Sequence, residues 1–208
     1  MPVFLKGVGI TLELTAAALG IALILGFLLA LARLSTIRPM VAIATTYIEV
    51  VRSIPVLVLL FLSYYSLGQV GLKLSGPVAA TVSLGAFYAT LYAEIFRGGI
   101  LGVDRGQTEA ARALGMGRRM TMVRVILPQA FFSILPNATN QLSNLIKDTS
   151  LVFTLGVADL MFQAQAASAT TFQPMDMLLL AGMIYFAFYL ILSKVLARWE
   201  INVQRSRS

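Results

Sequence analysis

The sequence is 208 residues long, 58% hydrophobic and only 12% charged, with a mean hydropathy of +0.84, which places it outside ordinary soluble domains and in a bilayer. It holds no cysteine and no histidine, so disulfides, thiol chemistry and the usual soft or imidazole metal ligands are excluded, and neither a catalytic residue nor a metal site is expected. Its 16 Lys plus Arg against 9 Asp plus Glu cluster beside apolar segments rather than on one soluble face, which argues for a topology signal and against a nucleic-acid surface.

Apolar runs of about 20 residues predict an all-α membrane protein rather than a barrel. Five transmembrane helices are expected, at about 8–32, 41–65, 77–97, 125–146 and 177–197, each long enough at ~1.5 Å per residue to cross a ~30 Å hydrocarbon core. The first follows Lys6 and contains Ala16, Ala17 and Ala18, as a secretory signal would. It runs on past the length of a signal core, so it is read as a retained span. The fourth is the most polar, interrupted by Pro136 and several amides. The stretch 68–76 reads as a short outer turn, and 156–174 as an outer loop with a short helix near 157–167. No internal repeat or linker divides the chain, so 1–208 is taken as a single membrane domain.

Five spans put the two termini on opposite sides. Arg33, Arg38, Arg97, Arg105, Arg112, Arg118, Arg119, Arg124, Lys194, Arg198, Arg205 and Arg207 fall on one side, against Lys6 and Lys73 on the other. The positive-inside bias makes the arginine-rich side cytoplasmic, with the N-terminus outside, the C-terminus inside and Trp199 as an interfacial anchor.

The loop between spans three and four reads Asp104-Arg105-Gly106-Gln107-Thr108-Glu109-Ala110-Ala111-Arg112-Ala113-Leu114-Gly115. Asp104 with Gln107 three residues on is a capping-box pattern, and Ala, Leu, Glu and Arg favour helix until Gly115 supplies a C-terminal turn. A basic segment, 118–124, then leads into Val125-Ile126-Leu127-Pro128, with Pro128 suited to a first helical turn.

These residues resemble the permeases of ABC importers, whose signature is Glu-Ala-Ala, three residues, Gly, nine residues, then Ile-x-Leu-Pro. Glu109-Ala110-Ala111, Gly115 and Val125-Ile126-Leu127-Pro128 match its spacing, with Val125 replacing Ile. Tyr47 to Pro55, Ala93 to Ile100 and Lys147-Asp148-Thr149-Ser150-Leu151 narrow the resemblance to the polar amino-acid branch, and it covers essentially the whole chain. It implies the type I importer permease fold in the bacterial inner membrane, with a cytoplasmic coupling helix at about 105–115. Gly106, Gln107, Glu109, Ala110, Ala111, Arg112 and Gly115 would then face the ATPase. The family usually has Pro where Arg105 stands, a departure confined to the entry turn.

The resemblance also implies the partners. They are a cytosolic ABC ATPase dimer, an extracytoplasmic amino-acid-binding protein, a second copy of this chain or a related permease, the amino-acid substrate and surrounding lipid. The sequence has no Gly-x-x-x-x-Gly-Lys-Ser/Thr loop, so ATP and Mg²⁺ are expected on the partner ATPase, with no cofactor on this chain. The substrate is expected to be a polar or acidic amino acid. A secondary transporter would call for inverted repeats and matched broken spans, which an odd count of five does not supply.

Ionisable and amide groups inside spans are the remaining candidates. Glu49 and Arg52, like Glu94 and Arg97, are three apart and can meet on one helix face. Asn137, Asn140 or Gln141, Asn144 and Asp148 recur at steps of three or four along one side of span four. Such a stripe either hydrogen-bonds a neighbouring membrane helix or lines the substrate route. From the resemblance, Asp148 would receive an α-amino group, Thr149 and Ser150 would donate to a carboxylate, and Arg52 would supply an opposing charge. The tyrosines Tyr47, Tyr64, Tyr65, Tyr88 and Tyr92 read as packing and interfacial anchors.

Overall fold

In a computed structural model describing residues 2–205, every regular element is helical. Arg207 lies outside the described residues, as do the side chains of Trp199 and Arg205. Helix α1 (Pro2–Arg33) and helix α5 (Gly76–Leu101) lie side by side and carry most of the core. Small residues let their backbones approach. Ala18 and Ala22 are fully buried, and a Cβ added at Gly85 would lie 2.7 Å from the Ile21 Cβ. Without a hydrophobic drive between helices in lipid, such close van der Waals packing is what holds two spans together. At one end Glu94 of α5 ties the pair, accepting from Arg33 Nη1 at 2.6 Å and from Arg97 Nη2 at 2.9 Å.

The predicted span 41–65 is not one straight helix. Helix α2 (Arg38–Ser53) ends where Pro55 forces Ile54 to φ −94°, ψ 128°, and helix α3 (Val56–Phe61) leaves at 101° to it. Proline removes a backbone donor and disfavours helical geometry in the residue before it. Helix α3 continues through a wide π turn at Leu62–Ser66 into α4 (Leu67–Gln69), and the two arms together have the length and composition of a broken span or a re-entrant loop.

Helix α6 (Arg105–Ala113) lies in the following loop. Helix α7 (Arg118–Thr121) leads through a second wide turn, Met122–Ile126, into α8 (Leu127–Asp148). That turn precedes Pro128, which lacks the N–H that an ordinary ladder would direct to Arg124. The Leu127 N–H instead reaches the Met122 carbonyl. A tight 3₁₀ stretch, Thr149–Leu155, closes at Gly156 with φ +74°, a left-handed conformation that glycine adopts without Cβ strain. Helix α9 (Leu160–Thr171) fills the predicted outer-loop position, and α10 (Pro174–Arg205) completes the chain.

Among the described residues, three helices are long and apolar enough to cross a membrane: Val3–Arg33, Gly76–Leu101 and Pro174–Lys194. The bent α2 to α4 unit makes a fourth if its two arms are counted as one span. The predicted fourth span is helical as α8, but its amides take it below that apolar standard.

Candidate functional site: the loop helix and the polar face of α8

The Asp104 carboxylate starts α6 by accepting the Gly106 N–H at 2.6 Å, and a Cβ at Gly106 would stand 2.8 Å from that oxygen, so glycine admits the close cap. The reciprocal half of the predicted capping box does not form. Gln107 Oε1 instead accepts from Gln129 Nε2 at 3.1 Å, tying α6 to the first turn of α8. At the far end Gly115 takes φ +76°, its N–H reaches the Arg112 carbonyl at 2.9 Å, and the Met116 N–H reaches that of Ala111 at 3.0 Å. This paired closure satisfies carbonyls that the helix end would leave orphaned.

Within α6 only Ala111 is buried. Gly106, Glu109, Ala110, Arg112 and Ala113 are exposed, and Glu109 and Arg112 form no ion pair among the described residues. Leu114, just past the helix, is 82% exposed. The sequence reading did not single it out, although an apolar residue at the tip of a polar loop is a visible signal. A nine-residue helix therefore presents small side chains, three charges that form no ion pair among the described residues (Arg105, Glu109 and Arg112) and, just past its end, one large apolar group to whatever lies beyond.

On α8, Asn137 and Asn140 are exposed, while Gln141, Asn144 and Asp148 are half-buried. Asn144 Nδ2 lies 3.4 Å from Gln141 Oε1, a long hydrogen bond within the stripe. Asp148 Oδ2 accepts from the Tyr88 hydroxyl at 2.7 Å, so Tyr88 is more than packing: it anchors the C-terminal end of the polar face. Asp148 and Tyr88 are sixty residues apart in sequence, and nothing local announces their pairing.

One predicted donor is engaged by the backbone, and one predicted ion pair does not form. Thr149 is fully buried and donates to the Ile146 carbonyl at 2.7 Å, so its hydroxyl serves the helix end rather than a solute; Ser150 is half-buried. Glu49 and Arg52 are both exposed and make no ion pair with each other or with any described residue, unlike Glu94 and Arg97. No described residues form a group of three metal-ligating side chains.

The family described as binding-protein-dependent transport system inner membrane component matches residues 11–203. Among curated relatives, the arginine transport system permease protein ArtQ of Bacillus subtilis is 39% identical over 93% of this chain and 89% of its own. The glutamate/aspartate import permease protein GltK of Escherichia coli O157:H7 is 37% identical over 91% and 88%. A crystal structure of an amino acid ABC transporter superposes with TM-score 0.92 at 38% identity, covering 97% of this chain and 94% of that one. The MetNI methionine ABC transporter, at TM-score 0.80 and 23% identity, shares the fold. With this coverage and a type I permease architecture, the chain belongs to the inner-membrane permeases of binding-protein-dependent transport systems.

Proposed function

We propose that this chain is the permease subunit of an ATP-driven importer of polar amino acids, with α6 as the helix through which a cytosolic ATPase dimer moves the spans. The observation that carries this reading is α6 itself. It is capped at both ends, tied to α8 by Gln107 and Gln129, and exposed at Gly106, Glu109, Ala110, Arg112 and Gly115, with Ala111 alone of the marked positions buried. The N-terminus lies outside and the C-terminus in the cytoplasm, which puts α6 and the arginine-rich loop on the ATPase side. ATP and Mg²⁺ belong to the partner ATPase. An extracytoplasmic binding protein delivers the solute to a pathway formed with a second copy or a related permease.

The stripe of α8 is the candidate route. Amides exposed on a membrane helix must meet protein or water, because lipid offers no hydrogen bonds. Tyr88 orients Asp148 and leaves one carboxylate oxygen without a donor among the described residues, so the group can receive an ammonium. Arg52 and Glu49, unpaired beside the Pro55 break, are free to act on a charged solute as the two arms move. The substrates named for the relatives, arginine and glutamate/aspartate, support a polar amino acid as the class.

The test is ATPase stimulation and uptake in proteoliposomes containing the full complex and its loaded binding protein. Glu109→Lys should assemble but lose most stimulation. Asp148→Asn should retain stimulation and lose uptake by about tenfold, the size of one charge-assisted contact. Wild-type rates in Glu109→Lys would refute the coupling role, and wild-type uptake in Asp148→Asn would refute the route.

A further inference from the structure

Glu13 is the one ionisable residue in the interior of α1, and neither the coupling helix nor the α8 stripe uses it. It is exposed and makes no hydrogen bond or ion pair among the described residues. Its helical neighbours one turn away are Gly9, Ile10, Ala16 and Ala17, none of which can neutralise it.

Its depth follows from helix geometry. With Arg33, the charged end of α1, taken as one boundary of the hydrocarbon region, the twenty residues from Glu13 to Arg33 rise about 30 Å, the thickness of that region. Glu13 therefore stands at the opposite interface. The assignment of that interface to the outer leaflet rests on the topology proposed above.

At that depth Glu13 lines a cavity of about 610 Å³ together with Ala17, Tyr64, Pro77, Thr81 and Val157, brought there by α1, the wide turn before α4, the start of α5 and the loop before α9. The hydroxyls of Tyr64 and Thr81 also make no hydrogen bond to a described residue, and no Lys or Arg lines the cavity. The site thus offers one carboxylate and two hydroxyl acceptors in otherwise mainly apolar walls. A single carboxylate falls short of a metal set. A primary ammonium carries one charge and three N–H donors, one for each of these three acceptor groups.

We infer that this cavity is a primary-ammonium site at the outer membrane interface. The ammonium is that of an aminophospholipid headgroup or the α-ammonium of a free amino acid; both present the same three donors.

Two arms separate these sources in the intact permease–ATPase complex. The lipid arm measures by native mass spectrometry how much phosphatidylethanolamine and phosphatidylcholine stay bound, since the quaternary headgroup carries the charge without N–H donors. The solute arm measures equilibrium binding of labelled arginine and glutamine without the binding protein. Each is run on wild type, on Glu13→Gln, which keeps shape and removes charge, and on Ala17→Phe, which fills the cavity and keeps the carboxylate. For a lipid source, wild type retains the ethanolamine lipid about tenfold over choline and both variants lose that preference. For a solute source, amino-acid binding falls about tenfold in both variants while lipid retention is unchanged. Wild-type behaviour of Glu13→Gln in both arms overturns the site. Failure of the importer reading would show separately, as absent ATPase stimulation in the wild-type complex.

Discussion

Replacing Asp104 with alanine removes the single side chain that caps the start of α6, where its carboxylate accepts the Gly106 N–H at 2.6 Å. A helix of nine residues is marginal in water without tertiary burial, and here only Ala111 supplies any. Loss of an aspartate N-cap costs about 1 kcal/mol, which lowers the helix-to-coil ratio of the segment about fivefold. The Gln107 to Gln129 bond and the Gly115 closure remain, so the segment frays from its start rather than melting throughout. Hydrogen exchange across 106–113 of the purified permease should accelerate by up to about that fivefold factor, concentrated in the first turn. If the ATPase engages only the helical form, uptake in proteoliposomes falls with the same population. Asp104→Asn keeps a side-chain acceptor and should restore most of both signals, losing only the smaller interaction of the charge with the helix dipole. Unchanged exchange in the alanine variant would refute the argument, as would an asparagine variant as impaired as alanine.

Asp159, in the loop before α9, is fully buried, caps Phe162 at 2.8 Å, and is pushed by burial up to about 6. A carboxyl raised above its unfolded value stabilises the fold fully below that value and loses the contribution as pH rises through about 6. Heat resistance should therefore increase from pH 7.5 to pH 5, and Asp159→Asn, which keeps the cap, should flatten the difference in thermal inactivation. Gly85→Val forces a side chain to within 2.7 Å of Ile21 and should destabilise by about 1–3 kcal/mol, read as a lower melting temperature. Gly9→Ala, with nothing within 4 Å of the new Cβ, is the neutral control. Arg33→Ala should change stability by no more than about 1 kcal/mol, because the cluster is part-exposed and Arg97 still pairs Glu94.

What the sequence could reveal divides by the range of the interaction involved. The apolar runs of α1, α5 and α10, and the start and stop of α6 at Asp104 and Gly115, are written in contiguous residues and could be read directly. Pro55 was visible as well, but a proline in an apolar run fits a kinked span as easily as a 101° break. Only packing of the two arms against α5 decides between them. Gln107 was read as a capping partner and found Gln129, and Asp148 found Tyr88, because a side chain chooses among neighbours that the chain's path brings in from far away. Thr149 shows a different limit. Its expected role came from the resemblance of Lys147 to Leu151, which carries no local geometry. At Thr149 the backbone tightens to three residues per turn, and the hydroxyl faces inward to the Ile146 carbonyl. The polar face therefore ends at Asp148, at the one carboxylate on it, held by Tyr88 of the most buried helix.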